Sequence, residues 1–257
     1  MLESNRNAAV ALVTGASRGL GRAIAIELAG RGHHVIVNYK KNQREAEETL
    51  GQIVEQGGAA TLFQADVSQP DQVQKMFQAV FKAHRRLDML INNAGITRDE
   101  YFLTMRQQSW DDVIVSDLGS VLYCCKQAVG LMAGARRGVI VNIGSSSALS
   151  ARPGQVNYGT AKSALLGFSR TLARELAGKG VRVLVVAPGF TATPMTEALP
   201  QEVVRETLAR IPLRRWGTPL EIARAVAFFA SDAGRCYSGQ TIVIDGGRTA
   251  YEQEFGF

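Results

Sequence analysis

The sequence predicts an α/β fold: one doubly wound parallel sheet of about seven strands, with helices on both faces. Three observations carry this expectation. Short apolar runs alternate with longer amphipathic or charged stretches almost to the C-terminus. Many of the runs end at turn-forming residues, and the 26 glycines among 257 residues suit many such junctions. No linker divides the chain and no segment repeats, so residues 1–257 are read as one domain. Strands joined through helices need crossovers. Right-handed crossovers place helices on both faces of a parallel sheet.

The elements follow in order. Residues 8–13 are a continuous apolar run, which suits a strand buried on both sides. A glycine-rich turn leads into an amphipathic helix that starts near Arg22. Residues 34–39 form a second strand, and the charged stretch 43–56 a helix. A strand at 60–64 runs to Asp66 and Val67, and a helix follows from Pro70 to about His84. Residues 89–93 form the fourth strand, before Ala94 and Gly95. One long helix is expected from about 109 to 132, then a strand at 138–144 and a helix at 157–178. The strand at 181–187 stops at Pro188-Gly189. A helix at 219–229 and a strand at 241–245 complete the alternation before Gly246-Gly247.

Composition narrows the function classes. A hydrophobic share of 46% is enough for a sizeable core, and no apolar run approaches the length of a spanning helix. The first residues, Met-Leu-Glu-Ser-Asn-Arg-Asn, lack a signal-peptide core, so a cytoplasmic location is expected. Three cysteines, Cys124, Cys125 and Cys236, build no disulfide framework and read as idle thiols in a reducing compartment; no metal is expected. The net charge of +6 comes without a long basic run, which argues against nucleic acid as the partner.

The stretch 14–21, Thr-Gly-Ala-Ser-Arg-Gly-Leu-Gly, lies between the first strand and its helix. Strand, glycine-rich turn and helix start together form a cradle for a pyrophosphate, the mark of a Rossmann-type dinucleotide site. Gly15 and Gly19 permit backbone angles that a side chain obstructs, and Gly21 lets helix and strand pack closely. Alone, the spacing also fits a plain tight turn. The end of the second strand, Asn38-Tyr39-Lys40-Lys41, has no acid to hold a ribose 2′-hydroxyl. Arg18 with Lys40 or Lys41 would instead receive a 2′-phosphate, which favours NADP over NAD. The alternative is that these lysines are solvated at a helix start.

Tyr158 and Lys162 are four residues apart, hence on one face of a helix. An ammonium beside a phenol favours its ionised form, so the pair suits proton exchange with a carbonyl oxygen or an alcohol. Ser145, thirteen residues upstream of Tyr158, would hold that oxygen. A surface lysine near a half-buried tyrosine is the plainer alternative. In a doubly wound sheet, ligands bind beyond the carboxyl ends of the strands. Gly15, Asp66, Asn93-Ala94-Gly95, Ser145 and Pro188-Gly189 each follow a strand and collect at that edge.

With these motifs in place, the chain resembles the short-chain dehydrogenase/reductase family over essentially its whole length. The phrases Asn-Asn-Ala-Gly-Ile-Thr-Arg-Asp and Gln-Val-Asn-Tyr-Gly-Thr-Ala-Lys are most similar to those of bacterial 3-oxoacyl-[acyl-carrier-protein] reductases. The resemblance implies Tyr158 as the acid, Lys162 on the nicotinamide ribose and Ser145 on the substrate carbonyl. It implies NADPH held by Gly15, Ser17, Arg18, Gly19, Leu20 and Gly21 at the phosphates and adenosine ribose. Asn38, Tyr39 and Lys40 would lie beside that ribose, and Asp66 and Val67 at the adenine. Asn93, Ala94 and Gly95 would line the adenosine ribose side. Pro188, Gly189, Thr191 and Thr193 would reach the nicotinamide end.

A mobile lid is expected at about 190–211, with Met195, Ala198 and Leu199 giving it an apolar part. The tail 249–257 extends past the usual end. Arg136, Arg137 and Lys179 lie where the resembling enzymes dock an acidic acyl carrier protein, and a tetramer through the two long helices is implied. One position departs from the pattern. Asp117 stands where the family usually has asparagine, and it is expected to modify the proton relay of an active enzyme. The readings left open are a reductase of a 3-oxoacyl thioester in fatty-acid or polyketide assembly, a ketoreductase or alcohol dehydrogenase for a free small ketone, and a non-catalytic dinucleotide-binding subunit.

Overall fold

Seven strands lie side by side: β1 (Val10–Val13), β2 (His34–Tyr39), β3 (Ala59–Gln64), β4 (Met89–Asn92), β5 (Gly138–Ile143), β6 (Val181–Pro188) and β7 (Thr241–Ile244). A computed structural model describes residues 8–193 and 201–251. The sheet order is β3-β2-β1-β4-β5-β6-β7, and every pairing is parallel. Strand order reverses between β1 and β4, so the crevice for a ligand opens beyond their carboxyl ends.

The connecting helices are α1 (Gly19–Gly30), α2 (Gln43–Glu55), α3 (Pro70–His84), α4 (Gln107–Ile114), α5 (Ser120–Ala135), α6 (Val156–Leu176), α7 (Gln201–Ala209) and α8 (Pro219–Ala230). They cover both faces of the sheet. Along β1, Ala11 and Val13 join Ile24 and Leu28 of α1 and Ile222 and Val226 of α8. Val10 and Leu12 point the other way, to Met76 of α3, Cys124 of α5 and Leu165 of α6. Alternation sends successive side chains to opposite faces. Both faces are covered, so all four residues of β1 are buried and the strand reads as an unbroken apolar run.

Three departures from the expected elements matter. The expected long helix is present and runs unbroken from Gln107 to Ala135, but a π turn at Val115–Gly119 interrupts its regular ladder between α4 and α5. The helix carrying Tyr158 ends at Leu176 and tightens into a 3₁₀ turn, Ala177–Lys179. Gly180 then takes φ 71° (a left-handed conformation), and a Cβ there would meet the Arg136 carbonyl oxygen at 2.3 Å. Among its described residues the expected lid holds one helix, α7; Met195, Ala198 and Leu199 lie outside the described residues. Of the tail, a short helical turn at Arg248–Tyr251 is described and the rest lies outside.

Cys124 and Cys125 are buried in α5. Burial raises both thiols, and that of Cys125 is pushed up to about 12, so neither is a ready nucleophile. Cys236 is exposed. Among the described residues no helix is long and apolar enough to cross a membrane.

The two-sided core gives a direct test. Leu12 is 0% exposed and Leu103 is 95% exposed. Leu12→Ala is expected to lower the unfolding free energy by about 2–5 kcal/mol. Leu103→Ala is expected to stay within about 0.5 kcal/mol of the parent. Urea denaturation of the two variants measures the contrast.

Candidate active site

The glycine-rich turn is held from three sides. Gly15 and Gly19 have φ of 62° and 56°, which glycine adopts without strain. From the β4 side, the Thr14 hydroxyl oxygen accepts the backbone N–H of Asn93 at 2.9 Å and of Ala94 at 3.0 Å. The Asn93 amide donates back to the carbonyls of Thr14 and Gly15, at 3.0 and 3.2 Å. From β2, Asn38 accepts the Gly15 N–H on its side chain at 3.2 Å and the Ala16 N–H on its backbone at 2.8 Å. Its amide also donates to the Ala65 carbonyl at 3.0 Å. Asn38 is thus spent on shaping the turn. Behind the turn, Arg22 and Thr49 both donate to the Ser17 carbonyl, at 2.7 and 2.9 Å.

This cradle fits a pyrophosphate. Arg18, at the cap position of α1, makes no side-chain cap, and the first turn contains no acid. The first N–H groups of α1 therefore keep their positive end for an anion. Gly21 closes the cradle: a Cβ there would sit 2.3 Å from the Gly15 carbonyl oxygen and 2.5 Å from Asn93 Nδ2. Leu20 packs against the core beneath.

At the adenosine end, the exposed Arg18 guanidinium lies 3.7 Å from Glu45, and Lys40 lies 2.7 Å from Asp66. Burial raises the Asp66 carboxyl, but Lys40 and Ser68 outweigh it and hold it below the usual carboxylate range. Tyr39 and Val67 are buried beside it.

At the other end of the crevice, β5 delivers Ser145 and α6 delivers Tyr158 and Lys162. Ser145 is extended and caps the 3₁₀ turn Ser146–Ala148, accepting the Ser147 N–H at 3.1 Å. The start of α6 is tied down by Asn157, which is fully buried. Its amide donates to the carbonyls of Arg98 at 2.9 Å and Ser109 at 3.1 Å, and it accepts the Tyr158 N–H at 2.8 Å. Tyr158 is half-buried in this first turn. Lys162, one turn on, is 4% exposed, and its Nζ lies 5.6 Å from the Tyr158 ring centroid. That amine donates to the Ile143 carbonyl at 3.1 Å and lies 3.2 Å from Asp117 Oδ2. Burial pulls its pKa down, but Asp117 and Tyr158 pull harder, and Lys162 is held above the ordinary lysine value.

The remaining candidates fall at the same edge. Gly95 faces Asp117, and a Cβ on it would meet Oδ2 at 2.6 Å. Gly189 donates to the Ile244 carbonyl at 2.9 Å, after Pro188 ends β6. Thr191 is buried and pairs with Gly217 through a parallel bridge, and Thr193 follows two residues on. Arg136, Arg137 and Lys179 do not join them. They lie at the amino ends of β5 and β6, the sheet edge opposite Tyr158.

Several residues at the site have roles that the sequence did not assign, although Thr14 and Asn157 lie inside phrases it singled out. Thr14, Arg22, Thr49 and Asn157 shape it through contacts with residues distant in the chain. Phe190, expected at the entrance of the lid, has partners that the sequence did not indicate. Its ring lies 6.0 Å from Trp216, with Arg152 Cζ at 5.0 Å and Arg248 Cζ at 5.5 Å. These partners are too scattered along the chain to form a motif. The Thr14–Asn93 latch had a faint signal, since both belong to glycine-containing phrases that follow strands.

Known proteins resemble this chain over most of its length. Residues 15–249 match a family model described as enoyl-(acyl carrier protein) reductase. The chain is 44% identical over 237 residues to the 3-oxoacyl-[acyl-carrier-protein] reductase FabG of Staphylococcus aureus, covering 92% of this chain and 96% of that one. It is 43% identical over 245 residues to the 3-oxoacyl-[acyl-carrier-protein] reductase of Synechocystis, covering 95% and 98%. The crystal structure of a provisionally assigned short-chain alcohol dehydrogenase from Sinorhizobium meliloti 1021 matches with a TM-score of 0.90. Its identity is 35%, over 94% of this chain and 96% of that one.

The cradle predicts a binding defect. In Gly21→Ala the new methyl must displace the Gly15 carbonyl oxygen, which would lie 2.3 Å away. The dissociation constant for NADPH is expected to rise by about tenfold or more, roughly 1.4 kcal/mol, in a fluorescence titration.

Proposed function

We propose that this chain, which belongs to the short-chain dehydrogenase/reductase family, reduces 3-oxoacyl thioesters to 3-hydroxyacyl thioesters with NADPH. The carrier is acyl carrier protein, and the setting is fatty-acid or polyketide-type assembly. One observation carries the reading: the buried Lys162 ammonium lies 5.6 Å from the Tyr158 ring, at the strand edge where the phosphate cradle opens. The names of the relatives support the 3-oxoacyl substrate.

When bound, the nicotinamide supplies the hydride. The protein's own residues manage the oxygen. The Ser145 hydroxyl donates a hydrogen bond to the substrate carbonyl and holds it in place. Tyr158 gives its hydroxyl proton to the same oxygen as charge develops there. The Lys162 ammonium, fixed by Ile143 and Asp117, offsets the negative charge left on the phenol oxygen. A donor pair aimed at an oxygen suits a carbonyl. A carbon–carbon double bond, which the description of the family model would suggest, needs its proton at carbon. The choice of NADPH rests on the end of β2, which carries no acid of its own, and on Arg18 and Lys40, whose side chains are 68% and 56% exposed and would exchange Glu45 and Asp66 for a 2′-phosphate.

The basic group Arg136, Arg137 and Lys179 is the proposed contact for the acidic carrier. It lies on the order of 20 Å from the catalytic edge, the length of the six residues of β5 at about 3.3 Å each. Such a patch steers an acidic partner and leaves the chemistry alone. A tetramer assembled through α5 and α6 would also cover apolar side chains such as Leu122, 49% exposed, and Val156, 42% exposed.

Two outcomes are expected. Tyr158→Phe lowers the rate of NADPH oxidation with acetoacetyl thioester by about 10²–10⁴-fold. Equal rates in parent and variant would favour a binding-only protein, and a parent active on crotonyl thioester or free ketones alone would favour those substrates. Arg137→Glu raises KM for the carrier-bound thioester several-fold and leaves KM for a short synthetic thioester in place. Steady-state kinetics with both substrates checks the difference.

A further inference from the structure

Asp117 and Lys162 form an ion pair that water does not reach. They are 0% and 4% exposed, and Oδ2 lies 3.2 Å from Nζ. Asp117 is placed by three features. It sits inside the π turn Val115–Gly119, an irregularity that inserts an extra residue into the helical ladder. Its Oδ1 accepts the Ile96 N–H at 2.8 Å. Its Oδ2 faces Gly95, where any side chain would collide at 2.6 Å. Among the described residues, the titratable groups facing Lys162 are Asp117 from the π turn and Tyr158 from α6. From β5 it meets the neutral Ile143 carbonyl.

We propose that Asp117 is a positioning residue whose charge, acting through Lys162, sets the upper pH limit of carbonyl reduction. The proposal rests on the reductase reading above. A buried ammonium without a counter-ion gives up its proton easily, because burial penalises the charged form. The Asp117 carboxylate reverses that tendency here, and Lys162 keeps its charge to higher pH. The sign follows from the raised value. The pair's contribution to stability is complete below the unfolded lysine value of about 10.4 and is lost as pH rises through the folded one.

Asparagine in this place keeps the size and can still accept the Ile96 N–H, but it removes the charge. Lys162 then loses its proton at lower pH, and with it goes the charge that offsets the negative charge developing on the phenol oxygen. The alkaline limb of reduction then moves down. A residue that only filled space would leave the limb where it was.

The experiment compares the parent with Asp117→Asn in two ways. The first is the pH–rate profile for NADPH-dependent reduction of acetoacetyl thioester. The alkaline limb of the variant is expected about 1–3 pH units lower. At a pH on the parent's plateau but above the variant's limb, the rate falls by about tenfold or more. The second is the urea midpoint of the ligand-free protein between pH 7 and pH 10. The variant is expected to gain stability relative to the parent as pH rises, because its unpaired ammonium sheds charge. Superimposable profiles and midpoint curves, or a limb displaced upward, overturn the proposal. The double variant Asp117→Asn, Lys162→Gln covers the case in which the single variant does not fold. It removes both charges and must be more stable at pH 7 than Asp117→Asn alone; equal or lower stability overturns the proposal as well. If the parent reduces no thioester, the reductase reading fails and the limit on reduction falls with it, while the midpoint curves still decide whether Asp117 holds the charge on Lys162.

Discussion

The site depends on keeping one ammonium charged in a place that water does not reach. Lys162 is 4% exposed, in the middle of the helix that also carries Tyr158. A lone charge in such a place is costly and tends to neutralise. The fold answers with a carbonyl at the end of β5 and a carboxylate on the π turn. The irregular turn, the bare Gly95 and the Ile96 N–H are the conditions under which that carboxylate reaches the amine. Each looks like a local oddity until the lysine is considered. Together they are the surroundings that a buried cation requires.

The dinucleotide end is built on the opposite principle. Among the described residues, no charged side chain holds the glycine-rich turn from the front. Thr14, Asn93 and Asn38 hold it with neutral hydrogen bonds, and Arg22 ties its back to α2 through Ser17 and Thr49. The first turn of α1 contains no acid of its own, and Glu45 beside it pairs with the exposed Arg18 at 3.7 Å. One half of the crevice is tuned by a buried ion pair and the other by the absence of one. The division matches what each half must handle: a proton at one end, phosphates at the other.

Much of this was legible in the chain. The glycine spacing of 14–21, the strand endings at Asn93 and Pro188, and the four-residue step from Tyr158 to Lys162 all report local geometry. The departure at Asp117 was visible as an unusual residue, but its contact with Lys162 was not. The two are 45 positions apart, and the π turn that aims the carboxylate leaves no clear mark in the pattern of apolar residues. The cluster around Phe190 was hidden for the same reason, because Arg152, Trp216 and Arg248 come from three segments far apart in the chain. The basic group at Arg136, Arg137 and Lys179 was identifiable as charge, but its distance from Tyr158 depends on where β5 and β6 begin.

By itself, then, the sequence determined the alternation of strand and helix, the phosphate cradle and the candidate proton donor. These are encoded at spacings of one to about eight residues, where steric limits and helical periodicity act directly. Tertiary structure alone decided which side chains neutralise the buried lysine, which latch the glycine turn to β4, and which edge of the sheet the surface charges occupy. Those outcomes depend on contacts between distant segments. They come into being only when seven short strands align in register and bring their ends together.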